Sequence, residues 1–207
     1  MTEGVKLPSW LNVSRETLDR FLALCDLVKR WNPAINLIAK STVSDMWTRH
    51  LLDSAQLFEH CPAEAGAWLD LGSGAGFPGL VVAIMAAESR QDLRVTLVES
   101  DRRKSVFLSE AVRRLGLSAD VICSRVDSIA PQGADVVSAR ALAPLAALCG
   151  HAHRHLAASG IAIFPKGANA AAELAVAQQA WRFRVASHAS RTDAEASILV
   201  LKDIRNV

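Results

Sequence analysis

Residues 14–31 carry an apolar stripe of Leu18, Phe21, Leu22, Cys25, Val28 and Trp31 at three- and four-residue steps, with charged positions mostly elsewhere. This period predicts an amphipathic helix. Ser14 is placed to cap it, and Asn32-Pro33 should end it, because the residue before a proline avoids the α conformation. A second, rougher stripe (Met46, Trp47, Leu51, Ala55, Phe58) predicts a helix over 44–59 with Ser44 as its cap. From residue 67 the pattern changes. Short apolar runs at 67–71, 93–98, 119–124, 134–139 and 160–164 alternate with helical stretches at 79–88, 102–115 and 144–157. Gly116 is placed to end the second of these, and Pro78 and Pro144 to open the first and third. Strand–helix alternation of this kind predicts a parallel sheet covered on both faces. An Ala-rich helix over about 169–180 follows. The runs 181–185 and 197–201 then predict a hairpin, hence antiparallel pairing at one sheet edge.

The expected organisation is an N-terminal helical cap, residues 1–60, on an α/β domain, residues 61–207. A hydrophobic fraction of 51% supports a large core and argues against disorder. The formal net charge of +2 neither demands nor excludes a nucleic-acid partner, since a local patch suffices. Cys25, Cys61, Cys123 and Cys149 are scattered without C-x-x-C or metal-ligand spacing and are expected to be reduced packing residues. The longest aliphatic run, Leu80 to Ala87, is well short of the roughly 18 residues needed to span a bilayer. With no signal-peptide pattern at the start, a soluble cytoplasmic protein with no membrane association is expected.

The densest chemistry lies in Asp70-Leu71-Gly72-Ser73-Gly74-Ala75-Gly76-Phe77-Pro78-Gly79, where an apolar strand meets a turn with four glycines in eight positions. Such a turn lets main chain lie against a ligand. Gly74-x-Gly76-x-x-Gly79 matches a dinucleotide fingerprint, with Glu99 near the place of its ribose-binding acid. A carboxylate at the strand mouth, Asp70, suits instead a cationic ligand such as S-adenosylmethionine, which has a sulfonium and an ammonium and no phosphate. The competing role for Asp70 is to tie the loop to its neighbours. Glu99, ending the second strand, suits a ribose diol. Val126 backbone and the Asp127 carboxylate follow the third strand and suit the polar edge of an adenine, or are simply a polar surface loop.

Taken with the blocks Trp31-Asn32-x-x-x-Asn36-Leu37, Arg49-His50-Leu51-Leu52-Asp53-Ser54, Glu99 to Leu108, Ser138-Ala139-Arg140-Ala141 and Lys166-Gly167, this loop gives the chain its resemblance to a known family. It resembles the RsmG (glucose-inhibited division protein B) family, which methylates N7 of a guanine in the 530 loop of bacterial 16S ribosomal RNA. The resemblance implies a Rossmann-like class I methyltransferase fold, S-adenosylmethionine as cofactor, and methyl-donor contacts at Gly72, Phe77, Val126, Asp127 and Arg140. It also implies 16S rRNA or the small ribosomal subunit as partner; no obligate protein partner is implied. The chain departs from the family pattern at Phe164-Pro165-Lys166-Gly167 and at Glu195-Ala196-Ser197, which lacks a basic residue before the last strand.

The fourth strand narrows the acceptor. The polar-Pro-Pro-aromatic loop of exocyclic-amine methyltransferases is missing, and no cysteine has the setting of a carbon-methylating nucleophile. A ring nitrogen with an in-plane lone pair needs no general base. Arg140 is then assigned to holding cofactor or acceptor, against a structural ion pair. Lys166 is a candidate for phosphate or guanine O6, against a solvated loop lysine. Phe77 either packs on the cofactor or fills the core beneath it. Arg102 and Arg103 stand in a first helical turn, where the macrodipole disfavours cations, so RNA contact competes with a merely solvated face. Arg49 and His50 either touch RNA at the rim or, for Arg49, pair with Asp53 at i, i+4.

Overall fold

The computed structural model describes residues 7–207; the first six residues of the expected cap lie outside it. One seven-stranded sheet in the order β3-β2-β1-β4-β5-β7-β6 organises the chain. Its strands are β1 (Ala67–Leu71), β2 (Arg94–Glu99), β3 (Ala119–Cys123), β4 (Ala134–Ala139), β5 (Leu156–Lys166), β6 (Trp181–Ala189) and β7 (Ser197–Asn206). The first five pair in parallel, and β7 lies antiparallel between β5 and β6. This is the expected α/β sheet, mostly parallel with an antiparallel edge hairpin.

The strands read as continuous apolar runs because both faces are covered. Successive residues sort to opposite sides. Trp68, Val136, Ile161, Ile163, Ile198 and Val200 join one core with α1 (Arg15–Ile35), α3 (Gly79–Ser89) and α4 (Arg102–Leu115). Leu69, Val137, Ala162, Phe164, Leu199 and Leu201 join the other with α5 (Leu145–His155) and α6 (Ala170–Ala180). The N-terminal segment is thus a layer on the first of these cores: Phe21, Leu24 and Val28 of α1 are fully buried in it.

Ser14 caps α1, accepting from Thr17 N at 3.2 Å. The helix does not stop at Asn32-Pro33 but runs to Ile35, with Pro33 exposed on its surface. It closes instead through Asn36, left-handed at φ 50°, and Asn32 Oδ1 accepts from Ile38 N at 2.8 Å. The helix expected over 44–59 also differs. A π-helical turn, Trp47–Leu52, leads through the short α2 (Asp53–Ala55) into a 3-10 turn, Gln56–His60, and Ser44 caps nothing. Ser54 Oγ donates to the His50 carbonyl at 2.6 Å, a carbonyl that also accepts from the Asp53 amide; side-chain bonds of this kind bend helices. Pro78 and Pro144 stand at the N-cap positions of α3 and α5, one residue ahead of the expected place, while Gly116 (φ 61°) ends α4 as expected and Asp101 caps its start. All four cysteines are free. Among the described residues, no helix is long and apolar enough to cross a membrane.

Candidate active site

β1 delivers its glycine turn at the carboxyl edge of the sheet, between β2 and β4. Ser73 pins it twice: its amide donates to the Val98 carbonyl and its hydroxyl to the Asp70 carbonyl, both at 3.0 Å. Gly72, at φ 65°, sits under Leu142, whose Cδ1 would lie 2.7 Å from any added Cβ. Gly79 opens α3 so close to the sheet that a Cβ would overlap Leu97 and come within 2.7 Å of Asp70 Oδ2.

Asp70 does not face a ligand, which corrects the reading of it as a partner for a cationic donor. It is fully buried; Oδ1 accepts from Ser138 Oγ at 2.7 Å and Oδ2 from Gly79 N at 3.2 Å. Ser138 Oγ in turn accepts from Trp68 Nε1 at 2.8 Å. The carboxylate therefore locks β1, β4 and the start of α3 together from beneath. Burial pushes its pKa up to about 6. A folded pKa above the unfolded one favours the folded state below about pH 4, and that advantage is lost as pH rises through about 6. Asp70→Ala, which leaves the Gly79 amide and Ser138 hydroxyl unpaired, should accordingly cost most at acid pH. The stability gap to the parent should narrow by up to about 3 kcal/mol between pH 4 and pH 7. Urea unfolding of both proteins over that range checks this, and parallel curves would refute it.

Above the turn lies a cavity of about 300 Å³ lined by Gly72, Gly74, Glu99, Val126, Asp127 and Leu142. Glu99 is 8% exposed, its Oε2 accepting from Gly74 N and its Oε1 from Asp101 N, each at 2.8 Å. Each oxygen keeps a second lone pair for a ligand hydroxyl. Val126 and Asp127 lie in a 3-10 turn (Val126–Ser128) after β3. The Val126 carbonyl accepts from His155 Nε2 at 3.3 Å, and Asp127 Oδ1 is 3.2 Å from His151 Nδ1. Gly76 is buried beneath and does not line the cavity. The glycine cradle, the carboxylate at the β2 end and the polar turn after β3 suit a nucleoside-bearing ligand such as S-adenosylmethionine. Leu142 and His151 escaped sequence reasoning; only their following β4, the next strand around the site, pointed to them.

A larger cleft of about 990 Å³ adjoins it, sharing Ala141 and Leu142 as a common wall. Arg49, Asp53, Arg140, Lys166, Glu173 and Thr192 are among its lining residues. Arg140 Nη1 donates to the Arg49 carbonyl at 3.2 Å and lies 3.8 Å from Asp53 Oδ2. Its guanidinium stands 5.5 Å from the Phe77 ring centre. The partner of Asp53 is thus Arg140, not Arg49. Lys166 is not a free lysine: its Nζ donates to Glu173 Oε2 at 2.8 Å and to the Ala143 carbonyl at 3.3 Å. Glu173 also accepts from Leu145 N at 2.8 Å.

Phe77 is 3% exposed and stacks on His50 at 5.4 Å, so it fills the core beneath the cleft and lines neither cavity. His50 is not a cation for RNA. Burial, then the charges of Arg140 and Arg49, lower its pKa to about 4. It is neutral at physiological pH, with Nε2 2.9 Å from Thr42 Oγ1. Arg49 stays exposed at the cleft rim. Arg102 and Arg103 are exposed on α4 and are not brought into the cleft; Arg102 lines a separate cavity with Trp31 and Cys123.

The opposite wall of the cleft is fixed from a distance. Gln56 Nε2 donates to Asp53 Oδ1 and Ser190 Oγ, both at 3.0 Å, while its Oε1 accepts from Arg191 N at 2.8 Å. Thr192 Oγ1 donates to Asp53 at 2.9 Å. The β6–β7 loop is thereby clasped to the N-terminal layer and, through Asp53, to Arg140.

A family model described as rRNA small subunit methyltransferase G matches residues 17–199 of the chain. A Cereibacter sphaeroides protein named ribosomal RNA small subunit methyltransferase G is 53% identical over 197 residues, covering 95% of this chain and 96% of that protein. The protein of the same name from another strain of that species is 51% identical over 208 residues, covering 100% of both. Among solved structures, a SAM-dependent methyltransferase from Aquifex aeolicus superposes with a TM-score of 0.60 at 14% identity, over 86% of this chain and 97% of that one.

Proposed function

The chain belongs to the rRNA small subunit methyltransferase G family, and we propose that it transfers a methyl group from S-adenosylmethionine to N7 of a guanine in the 530 loop of 16S rRNA. The observation that carries this reading is the shared wall: the cofactor-sized cavity over the glycine turn opens beside the larger cleft at Ala141 and Leu142. When bound, the donor supplies an electrophilic methyl group, and a guanine in the cleft presents an in-plane lone pair. The N7–carbon bond forms as the carbon–sulfur bond breaks. The leaving group is a neutral thioether, and the positive charge passes to the base. No proton moves, so the residues of the cleft serve to position. Such alignment is worth roughly 7–11 kcal/mol at best.

The charges in the cleft suit an acceptor that becomes cationic. Arg140 faces Asp53, and Lys166 faces Glu173, so each cation is offset by a carboxylate. The cysteines do not suit nucleophilic methylation at carbon. Burial pushes the Cys25 thiol up to about 12 and the Cys149 thiol up to about 11, burial also raises the Cys61 thiol, and neither Cys61 nor Cys123, at the end of β3, lines the cleft. Arg140 holds the acceptor side, with Arg49 at its rim, while Glu99, the Gly72–Gly74 backbone and the Val126–Asp127 turn hold the donor. The test uses small subunits lacking the modification. After incubation with enzyme and donor, borohydride–aniline treatment should cut the RNA at one new position in the 530 loop. No new cut there would reject the assignment.

A further inference from the structure

The edge hairpin carries a cluster of charge that the catalytic cleft does not use. In the β6–β7 register, Arg182 stands opposite Arg205 and Arg184 opposite Lys202. Like charges directly across a strand pair are destabilising, so local stability alone disfavours this arrangement. The register shifts by one residue between the two pairs, and Asp203 takes a left-handed φ of 56° there. This extra residue in β7 brings Lys202 and Arg205, three positions apart, to the same face. Without it they would point to opposite sides. All four cations are exposed, whereas Trp181 and Phe183 are half-buried and Ile204 is buried on the other face.

Asp203 pairs with Arg184. Among the described residues, Arg182, Lys202 and Arg205 have no carboxylate within ion-pair distance. Their three charges exceed the +2 of the whole chain, so the rest of the surface is close to balanced. The cluster also lies apart from the cleft. Ser197 of β7 is level with Lys166, and Lys202 is level with Ile161, toward the other end of the sheet. At about 3.4 Å per residue, the cations begin roughly 17 Å from the cleft.

We propose that this face of the β6–β7 hairpin is a second docking surface, which takes the phosphate backbone of the rRNA substrate at a distance from the methylated base. The inference rests on the rRNA reading above. A row of flexible, exposed cations without hydrogen-bond acceptors suits phosphates and carries no base-reading geometry, so the contact positions the RNA without selecting its sequence. The two cross-strand pairs are basic at all four positions, which suits a polyanion better than an apolar protein partner.

The test is the triple variant R182Q/K202Q/R205Q, assayed with small ribosomal subunits and a 16S rRNA fragment. KM for the subunit should rise about tenfold, with kcat and donor affinity unchanged. The slope of log binding constant against log salt for the fragment should fall in magnitude by about 2 to 3, near one for each phosphate no longer neutralised. The variant R182K/R205K should keep the parent slope. A slope within about 0.5 of the parent's, with a KM within twofold of it, would overturn the proposal. So would a triple variant that self-associates while retaining its KM, since the cations would then only guard an open strand edge. Binding of the fragment needs no turnover, so failure of the guanine-N7 reading would appear separately, as parent enzyme that binds RNA but methylates nothing.

Discussion

Replacing Glu99 by alanine should weaken S-adenosylmethionine binding by about a hundredfold, near 3 kcal/mol, while leaving RNA affinity within about twofold. Two effects add. The carboxylate lines the donor cavity, and it also holds the amides of Gly74 and Asp101, each at 2.8 Å. Without it, both the acceptor proposed for the ribose hydroxyls and the anchor of the glycine turn disappear. Glu99→Gln separates them. One amide oxygen still accepts, but the NH2 group opposes one of the backbone donors, so the loss should fall between parent and alanine. Titration calorimetry with S-adenosylhomocysteine and filter binding with rRNA measure the two affinities. An equal loss of both would mark Glu99 as a residue of folding alone.

The parts of this protein legible in its sequence are those set by local rules. Strands buried on both faces read as apolar runs, and Asp101 and Gly116 mark the ends of α4 by cap chemistry. The orientation of Asp70 is partly legible too. It shares the alternation phase of Trp68, and that phase faces the layer containing α3, so its side chain goes under the helix rather than out of the strand mouth. What escapes is long-range. Lys166 reads as a free loop lysine until α6 brings Glu173 beside it. Arg140 and Asp53 lie far apart in the chain, and no periodicity joins them. The nearer match, Arg49 with Asp53 at i, i+4, presumes regular α-helix, whereas Trp47–Leu52 is a π-helical turn and Asp53 turns to Arg140 instead.

That Arg140–Asp53 contact supports the second large effect. Arg140→Ala should lower kcat/KM for the small subunit by about 10² to 10³, since displacing a positioned acceptor by about 1 Å can cost a hundredfold. The guanidinium makes three contacts that no smaller group repeats: a bond to the Arg49 carbonyl, the Asp53 carboxylate, and the face of Phe77. Burial already raises the pKa of Asp53, and Arg140 is one of the groups opposing that rise. Its removal leaves a half-buried carboxylate without its cation and loosens the Gln56–Thr192 clasp attached to it. Arg140→Lys should not restore activity, because an ammonium cannot lie flat over Phe77 while reaching the carbonyl and carboxylate together. Donor affinity should change less than about threefold, as Arg140 lines the acceptor cleft and not the donor cavity. The double variant D53N/R140A distinguishes positioning from folding: stability should recover while activity does not. Full activity in Arg140→Lys would reduce the residue to a simple charge. A donor affinity falling as far as the rate would instead place it in the cofactor site.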